Sequence, residues 1–401
     1  MQSTLKSLTL CATIVVGLAP AQQPQSEGPI EKRGGYWVQE ITGSLAQPIR
    51  LTVSAIGDIR VEGRDVDRVS YRVIRKAKAS NAGDAEKLFE RALLATSRRG
   101  PSATLTLQDP QCGRCGFTSE IEISVPRRLR ETIIRAAAGS LSVQGIEGGV
   151  SANSAVGSIE MNAIGGGVMA STAGGPITLG AIGGAVRCET AGGSIKLRAS
   201  GGEATLTSNG GGIEVGSVGG TLRAETLGGD VVAERVAGEV IAATSGGTIR
   251  IGQARGRVTA DTAGGSIEIA GAPQGVRAET AEGHIRLTDV SGQVFATSAN
   301  GNIHAFFVSG SPLRDSLIET MSGTIIIWLP ADARVAVDAQ VDLARSMGRI
   351  ESDFEAITVR QGSEQFGASE LRATGSLNGG GPVLTIRNTG GRIQIRRRET
   401  E

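Results

Sequence analysis

Gly193-Ser194-Ile195-Lys196-Leu197 and Gly220-Thr221-Leu222-Arg223-Ala224-Glu225-Thr226 are the two phrases on which the reading of this chain turns. Each begins on glycine and then alternates apolar with polar residues, the period of two of a strand with one buried face. The first phrase recurs without drift. A Gly-x-apolar triplet starts at Gly139, Gly157, Gly175, Gly193, Gly211, Gly229, Gly247, Gly265, Gly283 and Gly301, every step being 18 residues. The second lies nine residues later, at Gly148, Gly166, Gly184, Gly202, Gly220, Gly238, Gly256 and Gly292, with Gln274 as its exception.

Two nine-residue halves per 18-residue unit, each a strand and a corner, predict an all-β fold, a parallel β-solenoid (β-helix) of two-strand coils. Ile195 and Leu197 face inward and Lys196 outward. Successive coils stack about 4.8 Å apart, so ten coils make a rod of roughly 50 Å. Glycine at each corner is expected to supply the positive φ of a tight turn. The interior volumes agree. Met161, Leu179, Leu197, Val215, Ile251, Ile269 and Leu287 in the first half face Ala170, Cys188, Ala224, Ala242, Ala260, Ala278 and Ala296 in the second. Large against small lets two sheets interdigitate without voids.

Composition excludes the other glycine-rich classes. Among 401 residues there are 59 Gly and 12 Pro, and aromatics make up 3%. Collagen needs Gly at every third position with abundant Pro. Disorder needs few β-branched residues, yet Val and Ile recur throughout.

The first 21 residues read as a secretory signal: Lys6, an apolar run Leu8 to Leu18, and an Ala19-Pro20-Ala21 cleavage site. The competing reading is an uncleaved anchor, but the apolar run is short for a bilayer span. Cleavage would remove Lys6 and no acid, leaving a formally neutral chain. That balance argues against nucleic acid and anionic lipid as partners. Beyond the signal no segment is long and apolar enough to predict a membrane span. The expected organisation is a signal peptide at 1–21, a linker at 22–35 and a β-rich N-terminal cap at 36–135. Regular coils follow at 136–310, then irregular coils and a C-terminal cap at 311–401. The N-terminal cap contains one helix, from the spacing of Ala85, Leu88, Phe89, Ala92 and Leu93 within Asp84 to Thr96. Past Ser309 an insertion shifts the beat, so that Gly323 follows Gly301 by 22 residues. Arg396 to Arg398 reads as a solvated basic end.

Candidate chemistry is sparse. A calcium β-roll also has 18-residue coils, but it needs Gly-Gly-x-Gly-x-Asp, and the corner here reads Gly192-Gly193-Ser194-Ile195. The left-handed hexapeptide helix has a sub-period of six, which nine excludes. Enzymatic β-helices need clustered carboxylates or Arg with Lys on one outer face. The outward column Glu160, Thr178, Lys196, Glu214, Val232, Arg250, Glu268, Arg286, His304 instead mixes signs. Arg187, Arg223 and Arg277 precede Glu189, Glu225 and Glu279 by two residues, forming same-face pairs of a solvated ladder. A column of hydroxyls, Thr172, Thr190, Ser208, Thr226, Thr244, Thr262, Thr280 and Ser298, has inward parity. It reads as a corner column satisfied by backbone, against an ice- or glycan-facing ladder. His284 and His304, placed on one outward face, could begin a metal site, but nothing in sequence completes it. Cys112-Gly113-Arg114-Cys115 lies between strand-like segments and reads as a candidate disulfide staple, with redox or zinc chemistry as the alternative. Cys188 occupies a small inward site. With two tryptophans, Trp37 and Trp328, an aromatic sugar platform is not expected. No catalytic, cofactor-binding or metal-ligating residues are assigned, and no cofactor is expected.

These residues resemble the "putative adhesin" β-strand-repeat family, domain of unknown function 4097. The likeness rests on the Gly-[Ser/Asp/Thr]-Ile corners from Gly57 onward and on Ser124-Val125-Pro126. It continues through Trp328-Leu329-Pro330 and the closing Gly380-Gly381-Pro382-Val383-Leu384-Thr385-Ile386 and Gly391-Arg392-Ile393-Gln394-Ile395. It spans about residues 49–396. Ser or Thr mostly stands where Asp often follows the corner glycine in that family, and the helix and Cys112/Cys115 lie outside its pattern. The resemblance implies an exported or envelope-associated solenoid, periplasmic, cell-surface or secreted. It implies a non-catalytic adhesin-like or scaffold role toward an envelope or extracellular protein or glycan. It transfers no binding residues. The competing reading is a polysaccharide-active β-helix enzyme, recognisable by an outer cleft with two carboxylates.

Overall fold

The computed structural model describes residues 26–46, 48–111, 116–342, 348–361 and 370–399. The signal segment, Cys112–Cys115 and the polar stretch at 363–369 lie outside the described residues. The chain winds into a parallel β-solenoid with two sheets facing each other across one apolar core. One sheet stacks strands such as Val186–Thr190, Ala204–Ser208 and Leu222–Thr226. The other stacks Ile177–Ile182, Ile195–Ser200 and Ile213–Val218. Register steps by 18 residues: Ile177 pairs with Ile195 and Ile195 with Ile213, while Val186 pairs with Ala204 and Ala204 with Leu222. Each apolar position therefore becomes a buried column, as Ile159, Ile177, Ile195, Ile213, Ile249, Ile267, Ile285 and Ile303 show. The insertion after Ser309 is absorbed in a loop, because Phe295 pairs with Leu317 and Ile303 with Ile325.

The corner glycines are needed for a different reason from the one the sequence suggested. Of the ten, only Gly139 has a positive φ, 122°. What they share is proximity. A Cβ on any of them would lie 1.8–2.4 Å from a backbone atom of the preceding coil. Ladder hydrogen bonds pull successive coils to strand spacing, and at this corner the backbones meet with no room for a side chain. Close approach is the constraint, and backbone conformation is secondary.

The hydroxyl column completes the corner. Thr244 donates to the carbonyl of Gly229 at 2.9 Å and accepts from the amide of Gly247 at 3.2 Å. Thr172, Thr190, Ser208, Thr226, Thr262 and Thr280 do the same for their own pairs of glycines. Ser298 donates to Gly283, and near the end of the rod the Asn388 amide donates to Gly323. These side chains are buried. They bridge backbone groups of adjacent coils that would otherwise go unpaired in the interior, so the column faces neither ice nor glycan.

Both ends depart from simple winding. The coil Arg50–Ala55/Asp58–Arg64 lies between Glu131–Ala136/Leu141–Ile146 on one side and Ser102–Leu107/Thr118–Pro126 on the other. Antiparallel strands Tyr36–Ala46, Arg68–Ala77 and Leu94–Arg99 close that end. The region expected to be only a cap thus also contributes stacked coils. At the other end the last strands, Val383–Asn388 and Arg392–Arg398, insert between Ser316–Ser322/Thr324–Pro330 and Val335–Asp342/Arg349–Ser352. Glu370–Leu377 then seals the edge antiparallel to Val335–Asp342. Running strands against the exposed edge stops the rod from templating further chains.

Three expectations are corrected here. Residues 26–27 and 31–33, read as linker, are strands paired to Tyr36–Ala46. The helix is Ala82–Arg91, capped by Asn81, whose side chain accepts from Asp84 N at 2.9 Å. It stops early because Leu94–Arg99 pairs with Ser102–Leu107, and that ladder overrides the helical spacing. The buried Arg75 fixes the helix end by donating to the carbonyls of Phe89 (2.9 Å) and Ala92 (2.7 Å). Finally, Arg396–Arg398 is no free tail. Arg396 pairs with Glu351 (2.8 Å) and Asp353 (3.0 Å), and Arg398 pairs with Asp289 (2.7 Å).

Two paired substitutions test the corner. Gly247→Ala puts a methyl 2.0 Å from the carbonyl oxygen of Gly229, whereas Gly246→Ala meets nothing closer than 3.9 Å. In chemical denaturation Gly247→Ala should lose about 3 kcal/mol or more, and Gly246→Ala should change stability by about 1 kcal/mol or less. Thr244→Val should lose about 2–4 kcal/mol, since it strands a buried carbonyl and a buried amide. Thr132 is buried with no partner for its hydroxyl among the described residues, and it is stacked between Leu51 and Val150. Thr132→Val should therefore be neutral or stabilising in the same measurement.

Candidate functional site

Once the inward positions are filled, function must lie on what points out. The outward residue just before each corner hydroxyl is Thr207, Glu225, Ala243, Asp261, Glu279, Thr297 and Glu319 in successive coils. The residue just after that hydroxyl turns outward too, giving Asn209, Leu227, Ser245, Ala263, Ala281, Ala299 and Met321. Because Ser245, Ala263, Ala281 and Ala299 are small while Leu227 and Met321 are large and exposed, a trough forms between the two ends. Its volume is about 1110 Å³.

All four charged residues lining the trough are acids: Glu225, Asp261, Glu279 and Glu319. Glu225 and Glu279 are held by Arg223 and Arg277, the pairs expected from the two-residue spacing. Asp261 and Glu319 have no ion-pair partner among the described residues. Partial burial and the neighbouring Glu279 raise the Asp261 carboxyl above its ordinary range, with Arg277 pulling the other way. Asp261 and Glu279 are direct partners in adjacent coils. Sequence reasoning missed this pair because it compared adjacent coils only in the first half-coil and read Glu279 only against Arg277 in its own strand. Applying the 18-residue step to the second half would have found it.

The column that was followed holds no such concentration. Lys196 pairs with Glu214 at 2.9 Å and Arg250 with Glu268 at 3.4 Å, both across coils and exposed. The two histidines are not brought together as ligands. His284 sits at a corner, where its Nδ1 accepts from the amide of Asn302 at 3.0 Å. His304 lies on the strand Ile303–Phe307, edge-on to Trp328 at 5.7 Å. Burial, then the Arg286 guanidinium, then His284 depress the His304 imidazole. Among the described residues no group of three or more His, Cys, Asp or Glu is placed to hold a metal.

Phe306 and Trp328 stack on neighbouring strands with centroids 3.9 Å apart and 5° between planes, and Arg286 lies over Phe306 at 5.4 Å. That stacking runs along the rod axis, so the rings stand upright with their faces turned to each other. A sugar platform needs an open face, and this ladder uses its faces internally. Cys188 is fully buried, and burial pushes its thiol up to about 12, away from nucleophilic use. The candidate disulfide Cys112/Cys115 lies outside the described residues.

Comparison with solved structures finds similarity to a putative cell adhesion protein from Clostridium sporogenes (7% identity, 90% of this chain and 100% of that one, TM-score 0.21). It also finds a putative adhesin from Bacteroides fragilis (10%, 89% and 96%, TM-score 0.26). A third is a putative lipid binding protein from Parabacteroides distasonis (16%, 73% and 97%, TM-score 0.26). No curated protein matches the chain. The family model of Toastrack DUF4097 matches residues 220–396, the stretch holding most of the trough and nearly all of the inserted C-terminal end. By that match, and by the glycine-cornered coils within it, residues 220–396 are similar to the Toastrack DUF4097 family.

Proposed function

We propose that the chain is an exported, non-catalytic β-solenoid, an adhesin-like or scaffold protein binding an envelope or extracellular protein or glycan through its outer face. The observation that carries this reading is the trough itself. It runs along the rod over several coils, is floored by small side chains, and is built on strands whose inward residues are locked in a packed core. A long, shallow, rigid surface suits recognition of an extended partner better than enclosure of a reacting group. The reading of export rests on the signal-like segment at 1–21. Among the described residues no helix is long and apolar enough to cross a membrane.

One observation favours a second reading, a polysaccharide-active enzyme. Asp261 and Glu279 stand in adjacent coils, about 4.8 Å apart at the backbone, near the separation of roughly 5–5.5 Å used by retaining glycosidases. Against it, the two carboxylates stand side by side on one open strand face, whereas a glycosidase needs them on either side of the scissile bond.

Incubation with a panel of polysaccharides should leave chain lengths unchanged. Depolymerisation by the wild type that disappears in both Asp261→Asn and Glu279→Gln would establish the enzyme instead. For export, N-terminal sequencing of protein from native cells should begin at Gln22, in an envelope or medium fraction. An intact N-terminus on cytoplasmic protein would refute that part.

A further inference from the structure

From the trough we infer the chemistry of its occupant: an extended segment of a partner protein, about seven residues long, carrying basic side chains four positions apart. This rests on the non-catalytic binding role proposed above and gives it a site and a ligand class.

Length comes first. From Leu227 to Met321 the trough crosses five coil steps, through Ser245, Ala263, Ala281 and Ala299. At about 4.8 Å per step that is roughly 24 Å, the reach of about seven extended residues at ~3.4 Å each. Width comes next. The acidic row lies near the end of each strand and the corner row in the bend just past it, two residues on, as Glu225 and Leu227 are, hence at most about 7 Å apart. That width admits an extended backbone and is too narrow for a helix about 10–12 Å across.

Charge sets the spacing. Asp261 and Glu319 are the two lining acids that no arginine holds at ion-pair distance among the described residues, although Arg387 is the register partner of Glu319 in the next coil, and they lie three coil steps apart, at 261, 279, 297 and 319. Three steps make about 14 Å, and side chains at i and i+4 of an extended peptide also lie about 14 Å apart on one face. Two lysines or arginines so placed would meet both acids at once. A cation there would also relieve the cost of the partly buried Asp261 carboxylate beside Glu279. The rest of the lining favours peptide over sugar. It offers alanines, hydroxyls and two exposed apolar residues, and no aromatic face on which a pyranose would stack.

The test uses the full chain and a fluorescent heptapeptide with lysine at positions two and six and valine or threonine elsewhere, titrated by anisotropy to millimolar concentration. Saturable binding is expected. It should weaken about tenfold when both lysines are glutamate, and about tenfold in the Asp261→Asn/Glu319→Gln protein, as two exposed ion pairs would allow. Added salt should weaken it too. Ala281→Trp, at an exposed position in the floor, should abolish binding while leaving the unfolding midpoint unchanged. No saturable binding to the wild type, or binding that Ala281→Trp leaves intact, would overturn the inference. A neutral or amino-sugar oligomer that binds where the peptide does not, and is lost in Ala281→Trp, would overturn the peptide and leave the binding role standing. Depolymerisation of such an oligomer would remove that role as well.

Discussion

Backbone meeting backbone at the glycine corner is the constraint on which the rest of this structure depends. Ladder hydrogen bonds set the distance between coils, and at each corner the next coil's backbone occupies the place where a side chain would begin. Glycine is the residue that allows this. The consequence reaches inward, because coils brought so close leave a carbonyl and an amide facing the interior at every turn. A threonine or serine hydroxyl pairs both, as Thr244 does for Gly229 and Gly247. Glycine and hydroxyl therefore form one device, repeated along the rod.

A lattice of this kind turns each sequence position into a column. Inward columns must keep the volume of each coil filled, as Ala204 with Leu206 does between Val186 with Cys188 and Leu222 with Ala224, since a void or an overpacked site would be transmitted to both neighbours. Outward columns carry no such demand, so they are where individuality can appear. The trough exists because four successive corner residues are small while Leu227 and Met321 at its ends are not. Its electrostatics arise in the same way. Arg223 and Arg277 hold two of the acids in the row in ion pairs, and among the described residues Asp261 and Glu319 are held in none.

The ends of the rod solve another problem with the same elements. A stack of parallel strands ends in open edges, and both ends are closed by antiparallel strands. At the C-terminal end the chain first runs outward, builds the closure, and then returns to lay a coil between the closure and the rod; at the N-terminal end the inner coil Arg50–Ala55/Asp58–Arg64 is laid before the outer coil Ser102–Leu107/Thr118–Pro126. The last strands, Val383–Asn388 and Arg392–Arg398, thus lie inside the stack, and their arginines are drawn into ion pairs with Glu351, Asp353 and Asp289.

The sequence by itself determined the solenoid, its 18-residue winding, the two facing sheets and the inward parity of the hydroxyls. Those follow from a period, and a period is a local property that survives in one dimension. Only the tertiary structure decided why the glycines are there, since the clash they avoid is with residues 18 positions away. It decided the insertion of the final coil, because strand order is free of chain order wherever the beat is lost. It also decided the trough, because Asp261 and Glu279, or Leu227 and Met321, become neighbours or boundaries only when the coils are stacked. Features made by departures from a repeat cannot be weighed until the repeat has been wound.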